Sequence, residues 1–232
     1  MVKQIYRRIL EKYPQYYSKR SFSQNGEDIL IKTIFDIRKI NQISYLDIGA
    51  NDPVKLNNTY LFYRNKSRGV NVDANPDLID NMNRIRSRDI NVNIGIAREK
   101  GHLDFYVMEN DKVSTFSSEE YQNNLNMGLH LKEKVRVEVT TVDSIVSQYF
   151  NGKFPDLLNI DVEGLEWDIL ESIDFESSNT PKVICLETAE HSMKGNGSKR
   201  ENVIQYVVNC GYHSYADTHF NSILVKKDFW YF

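Results

Sequence analysis

Four short strand-like segments in this chain each carry an acid at or next to their end, and no other feature of the sequence restricts the fold as much. They are Ile43–Ile48 with Asp47 near its end, Arg68–Asp73, Pro155–Asp161 and Pro181–Glu187. Runs of this length bounded by turn residues read as buried strands of a parallel sheet covered by helices. Asp47 and Asp73 are 26 residues apart, an interval that holds a strand, a helix and a parallel strand. In such a sheet Asp47, Asp73, Asp161 and Glu187 emerge at one carboxyl edge, where open α/β folds bind their ligands. The expected class is α/β, and four strand-end acids in one chain point to a site.

The sharpest corner is Tyr45–Asp52, a strand that breaks into Gly49, Ala50, Asn51, Asp52 and Pro53. Glycine permits close backbone approach to a ligand, and Asn51, Asp52 and Pro53 are able to start a helix. Asp73 at the tip of the second strand sits where a doubly wound fold accepts hydrogen bonds from ribose hydroxyls. Asn75-Pro76 then opens a helix over Asp77–Ile85. Ile90–Ala97 alternates as a third strand, with Gly95 and Ala97 leaving room for a planar ring. The dinucleotide fingerprint G-x-G-x-x-G is not present at the corner. Carboxylates at Asp47 and Asp52 also oppose a pyrophosphate. A neutral or cationic nucleoside fits better, and S-adenosylmethionine offers a sulfonium, an amino group and ribose hydroxyls.

Elsewhere the pattern predicts a helix within residues 1–20 ending near Pro14, and another after Glu27 capped by Ser23 or Asn25. Local physics alone reads Gln24, Glu27 and Asp28 as that helix's N-terminus, with acids in its first turn. A short helix is expected over Leu56–Tyr63. Gly101–Val107 and Val135–Thr140 alternate and form an added antiparallel pair. Between them, Asp111–Leu131 is polar and without clear pattern, which makes it a candidate lid. Helices follow over Thr141–Tyr149, Glu166–Ile173 and Arg200–Asn209, the last stopped by Gly211. Tyr212–Asp217 and Ser222–Lys226 close the chain as strands. One domain over 1–232 is expected, with a helical segment at 1–42 and the core at 43–232.

The 29 basic and 32 acidic residues nearly cancel, at −3, which gives no support to a nucleic-acid partner. No apolar run approaches the roughly 20 residues that cross a bilayer, and the first residues are too polar for a signal peptide. Cys185 and Cys210 lack metal-type spacing. The apolar run around Cys185 predicts a buried, reduced thiol and a cytoplasmic chain. The aromatic tail Phe229–Phe232 is suited to packing on the domain or on a neighbour, so an oligomer stays open.

Together, Ser23-Gln24-Asn25-Gly26-Glu27-Asp28, Leu46-Asp47-Ile48-Gly49-Ala50-Asn51, Val72-Asp73-Ala74-Asn75-Pro76 and Asn159-Ile160-Asp161-Val162-Glu163-Gly164-Leu165-Glu166 resemble the FkbM-type methyltransferase family. The resemblance spans roughly Phe22–Val225. It implies a Rossmann-like methyltransferase sheet, mostly parallel with an antiparallel C-terminal strand. It also implies S-adenosylmethionine as donor and transfer to an oxygen, commonly on a sugar or glycan precursor. By that resemblance Asp47, Gly49 and Asn51 would line the methionine moiety, and Asp73, followed by Ala74, would bind the ribose. Gly95, Ile96 and Ala97 would lie near the adenine, Gln24 would join the pocket, and Asp161 would sit beside the transferred methyl. Pro53 departs from a family pattern that often has glycine there. Proton removal has Asp161, Glu163, Glu187 and His191 as candidates, with Asp161 and His191 as the catalytic pair. Alternatively Asp161 and Glu187 hold a divalent ion such as Mg²⁺. Two other readings stay open: a cofactor-binding module without catalysis, and a nucleotide-sugar or dinucleotide enzyme of similar fold.

Overall fold

The structure, a computed structural model, describes residues 19–189, 192 and 197–231. The helix expected within 1–20 and His191 lie outside the described residues. The elements run α1 (Glu27–Ile37), β1 (Ser44–Ile48), α2 (Tyr60–Arg64), β2 (Arg68–Asp73), α3 (Pro76–Ile85), β3 (Ile90–Asn93), β4 (Gly95–Ile96), β5 (Gly101–Met108) and a 3-10 turn at Asp111–Val113. They continue with α4 (Ser118–Asn126), β6 (Leu131–Thr140), α5 (Val142–Tyr149), β7 (Leu157–Ile160), α6 (Glu166–Glu171), β8 (Val183–Glu187), α7 (Glu201–Asn209), β9 (Tyr212–Asp217), β10 (Asn221–Lys226) and α8 (Lys227–Tyr231).

Seven strands form one sheet in the order β3-β2-β1-β7-β8-β10-β9. Strands β3, β2, β1, β7 and β8 are parallel, and β10 runs antiparallel to both β8 and β9. The order reverses beside β1, so β1 and β7 part their connections to opposite sides and leave a crevice at their carboxyl ends. This is the expected Rossmann-like sheet with its antiparallel C-terminal strand. Alternation within β1 divides the core. Leu46 and Ile48 join the cluster of Val70, Val72, Leu158 and Ile160 under α5, α6 and α7. Tyr45 joins the opposite cluster, with Ile31, Ile34 and Phe35 of α1.

Several expectations are corrected. The third strand divides at Ile94, whose N–H donates to the Asp73 carbonyl at 3.1 Å. Beyond it the chain leaves β2, and Gly95–Ile96 pairs with β6, so the added β5/β6 pair becomes a three-stranded sheet in the order β4-β6-β5. Asn51–Pro53 starts no helix, because Asp52 Oδ1 accepts from the N–H groups of Val54 and Lys55 and closes a turn instead. Helix α2 begins at Tyr60 rather than Leu56, since Asn57 Oδ1 takes the Thr59 and Tyr60 N–H groups. Gly26 at φ 91°, not Ser23 or Asn25, stands at the N-cap of α1. The Asn25 amide donates to the Thr218 carbonyl, and Ser23 bonds Asp28. The 111–131 segment is not patternless, since it holds α4, capped by Ser117 Oγ on the Glu120 N–H. Cys185 is buried and free. Phe229 and Trp230 pack on the α1 cluster, while Tyr231 is exposed. Among the described residues no helix is long and apolar enough to cross a membrane.

Candidate active site

A cleft of about 910 Å³, partly open to solvent, lies at the carboxyl edge beside β1. Its floor depends on one glycine. Gly49 has φ 77°, and a Cβ there would stand 1.7 Å from the Asp161 carbonyl oxygen, so only glycine lets the ends of β1 and β7 meet. The Asp161 N–H donates to the Ile48 carbonyl across the same junction. Asn51 follows at φ 47° and donates its N–H to Asp73 Oδ2 at 3.0 Å, while Asn75 N–H reaches Oδ1 at 2.8 Å. Each Asp73 oxygen therefore has one lone pair engaged and another free for the cleft. Burial, opposed by those two N–H groups, raises the Asp73 carboxyl to about 6.

An apolar slot stands next to this corner. Ile96, Phe105, Phe116 and Leu78 line it, with Ala74 beside Asp73. The Phe105 and Phe116 rings are 4.6 Å apart. Gly95 is tight against the same group, since a Cβ would lie 2.5 Å from Phe116 Cζ. The slot suits a planar ring.

At the other end three carboxylates converge. Asp161, Glu163 and Glu187 each place an oxygen within 4.8 Å of the others. Burial, then the Glu166 charge, raises Asp161 to about 7, and Glu187 hydrogen-bonds to it. Burial, then the Asp161 charge, pushes both Glu187 and Glu163 well above the usual carboxylate range. The Glu187–Asp161 bond favours the proton on Glu187. Glu163 is held at φ 52° beside Gly164 at φ 111°. Glu166 accepts from the Val162 and Gly164 N–H groups beneath the turn, and Thr115 Oγ1 donates to the Glu163 carbonyl at 2.6 Å. Arg200 bridges Glu166 at 2.7 Å and Glu120 of α4 at 2.8 Å. A Cβ on Gly164 would meet Glu120 Cγ at 2.7 Å, so α4 lies directly on this turn.

Gln24 reaches the cleft wall because the segment around it is tied down. Asp28 is buried and accepts from Ser21 Oγ, Ser23 Oγ and the Phe22 N–H. Glu27, also buried, accepts from the Asn25 N–H and the Asn221 amide. These two acids lie in the first turn of α1, as expected, and also anchor the loop before it.

The cleft brings together Gln24, Gly49, Asn51, Asp73, Ala74, Gly95, Ile96, Asp161, Glu163 and Glu187. It leaves out Asp47 and Ala97. Asp47 is the penultimate residue of β1 and turns to the Tyr45 face, where it is buried. It accepts from Thr59 Oγ1 at 2.6 Å and Asn159 Nδ2 at 2.8 Å, with Arg86 at 3.9 Å. Ala97 lies past the slot, its N–H on the Thr140 carbonyl. Phe105 and Leu78 line the cleft without having been anticipated, and Lys112, Ser114 and Phe116 of the candidate lid segment line it too. The alternation of Gly101–Val107 marks Phe105 as inward-facing on one side of its strand, but no local signal says which side meets the cleft.

A Rossmann-like sheet with a reversed C-terminal strand thus carries a braced acid at the end of β2 and carboxylates at the ends of β7 and β8, the sheet architecture of the methyltransferase class. The chain belongs to the FkbM methyltransferase family: residues 47–214 match the Methyltransferase FkbM domain. Methyl transfer from S-adenosylmethionine is the chemistry of that family. Among solved structures it is similar to the methyltransferase FkbM of Methylobacillus flagellatus KT, at 12% identity and TM-score 0.46, covering 80% of this chain and 44% of that one. The chain thus spans less than half the length of that protein. It is also similar to a TehB-like SAM-dependent methyltransferase of Corynebacterium glutamicum, at 12% identity and TM-score 0.44, covering 98% and 100%. No curated protein matches the chain.

Proposed function

We propose that this chain is an O-methyltransferase acting on a hydroxyl of a sugar, glycan precursor or related small molecule. What carries the reading is the sequence of environments along one cleft: a braced acid at Asp73, an apolar slot, and a carboxylate cluster at Asp161, Glu163 and Glu187. Asp73 accepts from the ribose hydroxyls, and Ile96, Phe105 and Phe116 enclose the adenine. Gly49, Asn51 and Gln24 face the methionine end. S-adenosylmethionine held there would supply, on its sulfonium, the methyl that an acceptor oxygen takes up as the C–S bond breaks. The acidic end favours that cation. The acceptor's hydroxyl proton goes to a carboxylate, and Asp161, raised to about 7, is placed to take it near neutral pH. His191, the other base proposed from sequence, lies outside the described residues.

Asp161, Glu163 and Glu187 also have the spacing and oxygen chemistry to hold a hard cation such as Mg²⁺, whose charge would acidify the acceptor hydroxyl. Calorimetry with S-adenosylmethionine, S-adenosylhomocysteine and NAD tests the donor, and binding of NAD alone would sink the proposal. Transfer of labelled methyl to a panel of sugars and nucleotide sugars, repeated after chelation, tests acceptor and metal. Full turnover without divalent ions removes the metal.

A further inference from the structure

The near-neutral charge of the whole chain hides a division. Residues 1–100 carry 18 Lys and Arg against 11 Asp and Glu, net +7, while residues 101–232 carry 11 against 21, net −10. Over the described residues 19–100 the count is 14 against 10, and the fold gathers part of that excess at one edge. The acids of the second part include the cleft cluster, whereas Arg64, Lys66, Arg68, Arg84 and Arg88 lie on the turns that lead from α2 and α3 into β2 and β3. Those turns are at the opposite edge of the sheet from the cleft. All five side chains are exposed, and none forms an ion pair among the described residues.

They also sit together. Arg88 lies 4.2 Å over the Tyr63 ring and donates to the Tyr63 carbonyl, beside Arg64. Tyr63 OH donates to the Ile85 carbonyl, next to Arg84. Val70 of β2 pairs with Ile90 of β3, which sets Arg68 near Arg88. The acids in the neighbourhood do not neutralise the group. Asp89 is buried and held by Arg86 and Tyr45, and Asp80 offers Arg84 only its carbonyl. Arg20 extends the group, sharing the Phe22 ring with Arg64 at 5.1 Å each. Between the cations, Ile85 and Ile90 are 42% and 44% exposed.

We propose that this edge docks on an anionic lipid bilayer surface. Several unneutralised cations interleaved with exposed isoleucines suit a headgroup layer, which offers phosphate charge above and apolar chains beneath. A nucleic acid fits less well. Among the described residues the Tyr63 and Phe22 rings are already covered by arginines and are not open as stacking platforms, and the isoleucines would meet no apolar partner. Docked this way the protein holds its cleft on the far side of the sheet, roughly a strand length of 15–20 Å from the bilayer.

Vesicle co-sedimentation tests this with the full chain. Binding to vesicles of equal phosphatidylglycerol and phosphatidylcholine at about 0.1 M NaCl is expected, with release at about 0.5 M as the charges are screened. Vesicles of phosphatidylcholine alone should leave the protein in solution. Each surface cation contributes about fivefold to partitioning, so the triple variant Arg64→Glu, Lys66→Glu, Arg68→Glu should lose about a hundredfold or more. Its S-adenosylhomocysteine affinity should be unchanged, which separates docking from the cleft; Lys66→Glu alone and the salt titration serve if the triple variant misfolds. Equal sedimentation with neutral vesicles, insensitivity to salt, or tighter binding to duplex DNA or RNA than to anionic vesicles would overturn the proposal.

Discussion

Replacing Arg86 with Met should destabilise the protein severely, although Arg86 lines no part of the cleft. The guanidinium is fully buried and serves five neighbours. Nε bonds Asp89 at 2.9 Å, Nη2 bonds Tyr45 OH at 3.0 Å, and Nη1 bonds Thr59 Oγ1 at 2.9 Å and Asn57 Oδ1 at 3.2 Å, with Asp47 at 3.9 Å. Met fills much of the volume, so the loss is electrostatic: Asp47 and Asp89 are left as buried carboxylates without their cation. Breaking one partner of a buried pair costs about 3–5 kcal/mol, and for a chain of this size that lowers Tm by roughly 6–20 °C. Arg86→Lys should recover little, because one ammonium cannot reach groups that a planar fork serves at three nitrogens. The pH dependence gives a second readout. Burial already raises the Asp47 carboxyl in the folded state, so its contribution to stability is present below the unfolded value near 3.9 and lost as pH rises through the folded one. Removing Arg86 raises the folded value further, so the deficit should shrink on acidification and widen towards neutral pH. Urea titrations at several pH values would measure this. A cost below about 1 kcal/mol at pH 7, or a deficit that grows on acidification, would refute the electrostatic account.

Three further outcomes are expected. Gly49→Ala places a Cβ where 1.7 Å separates it from a backbone oxygen, so it should abolish S-adenosylhomocysteine binding and lower Tm, read by calorimetry and thermal melts; an unchanged affinity would contradict the close contact of β1 and β7. Asp73→Ala should weaken that binding by about tenfold or more. In the unaltered protein affinity should fall as pH drops below about 6, where the Asp73 carboxyl takes up a proton. Asp161→Asn should cost about 10²–10⁴ in turnover yet stabilise the ligand-free protein at pH 8. The folded Asp161 value, near 7, lies above its unfolded one, so its favourable contribution disappears as pH rises through about 7. Melting curves from pH 5 to about 8 should therefore fall more steeply for the unaltered chain than for the variant.

Much of the sheet could be read from periodicity, because strands buried on both faces leave continuous apolar runs. Val183–Leu186 of β8 is such a run. What periodicity does not decide is where a single side chain meets its partner. Asp47 and Asp73 look alike in sequence, but Asp73 ends β2 while Asp47 is followed by Ile48 in β1. By the β1–β2 register Asp47 sits opposite Asn71, two residues short of Asp73 on the same face, so it stays within the sheet and its charge goes to Arg86, a partner 39 residues away that no local pattern links to it. The helix within residues 111–131 is hidden for another reason. Ser117 and Glu120 stand at the spacing of a helix start, but α4 buries little apart from Asn124, so its apolar stripe is too thin to register. The role of Phe116 was hidden with it, because it arises from Phe105 on a distant hairpin.

Arg200 joins α4 to the acidic turn at Glu166, and Thr115 and Gly164 fasten the same two pieces. Any swing of α4 away from the cleft must break the Arg200–Glu120 pair and release the turn that carries Asp161 and Glu163. The helix and the turn that bears two of the cleft's carboxylates thus form one mechanical unit, so loosening either loosens the other.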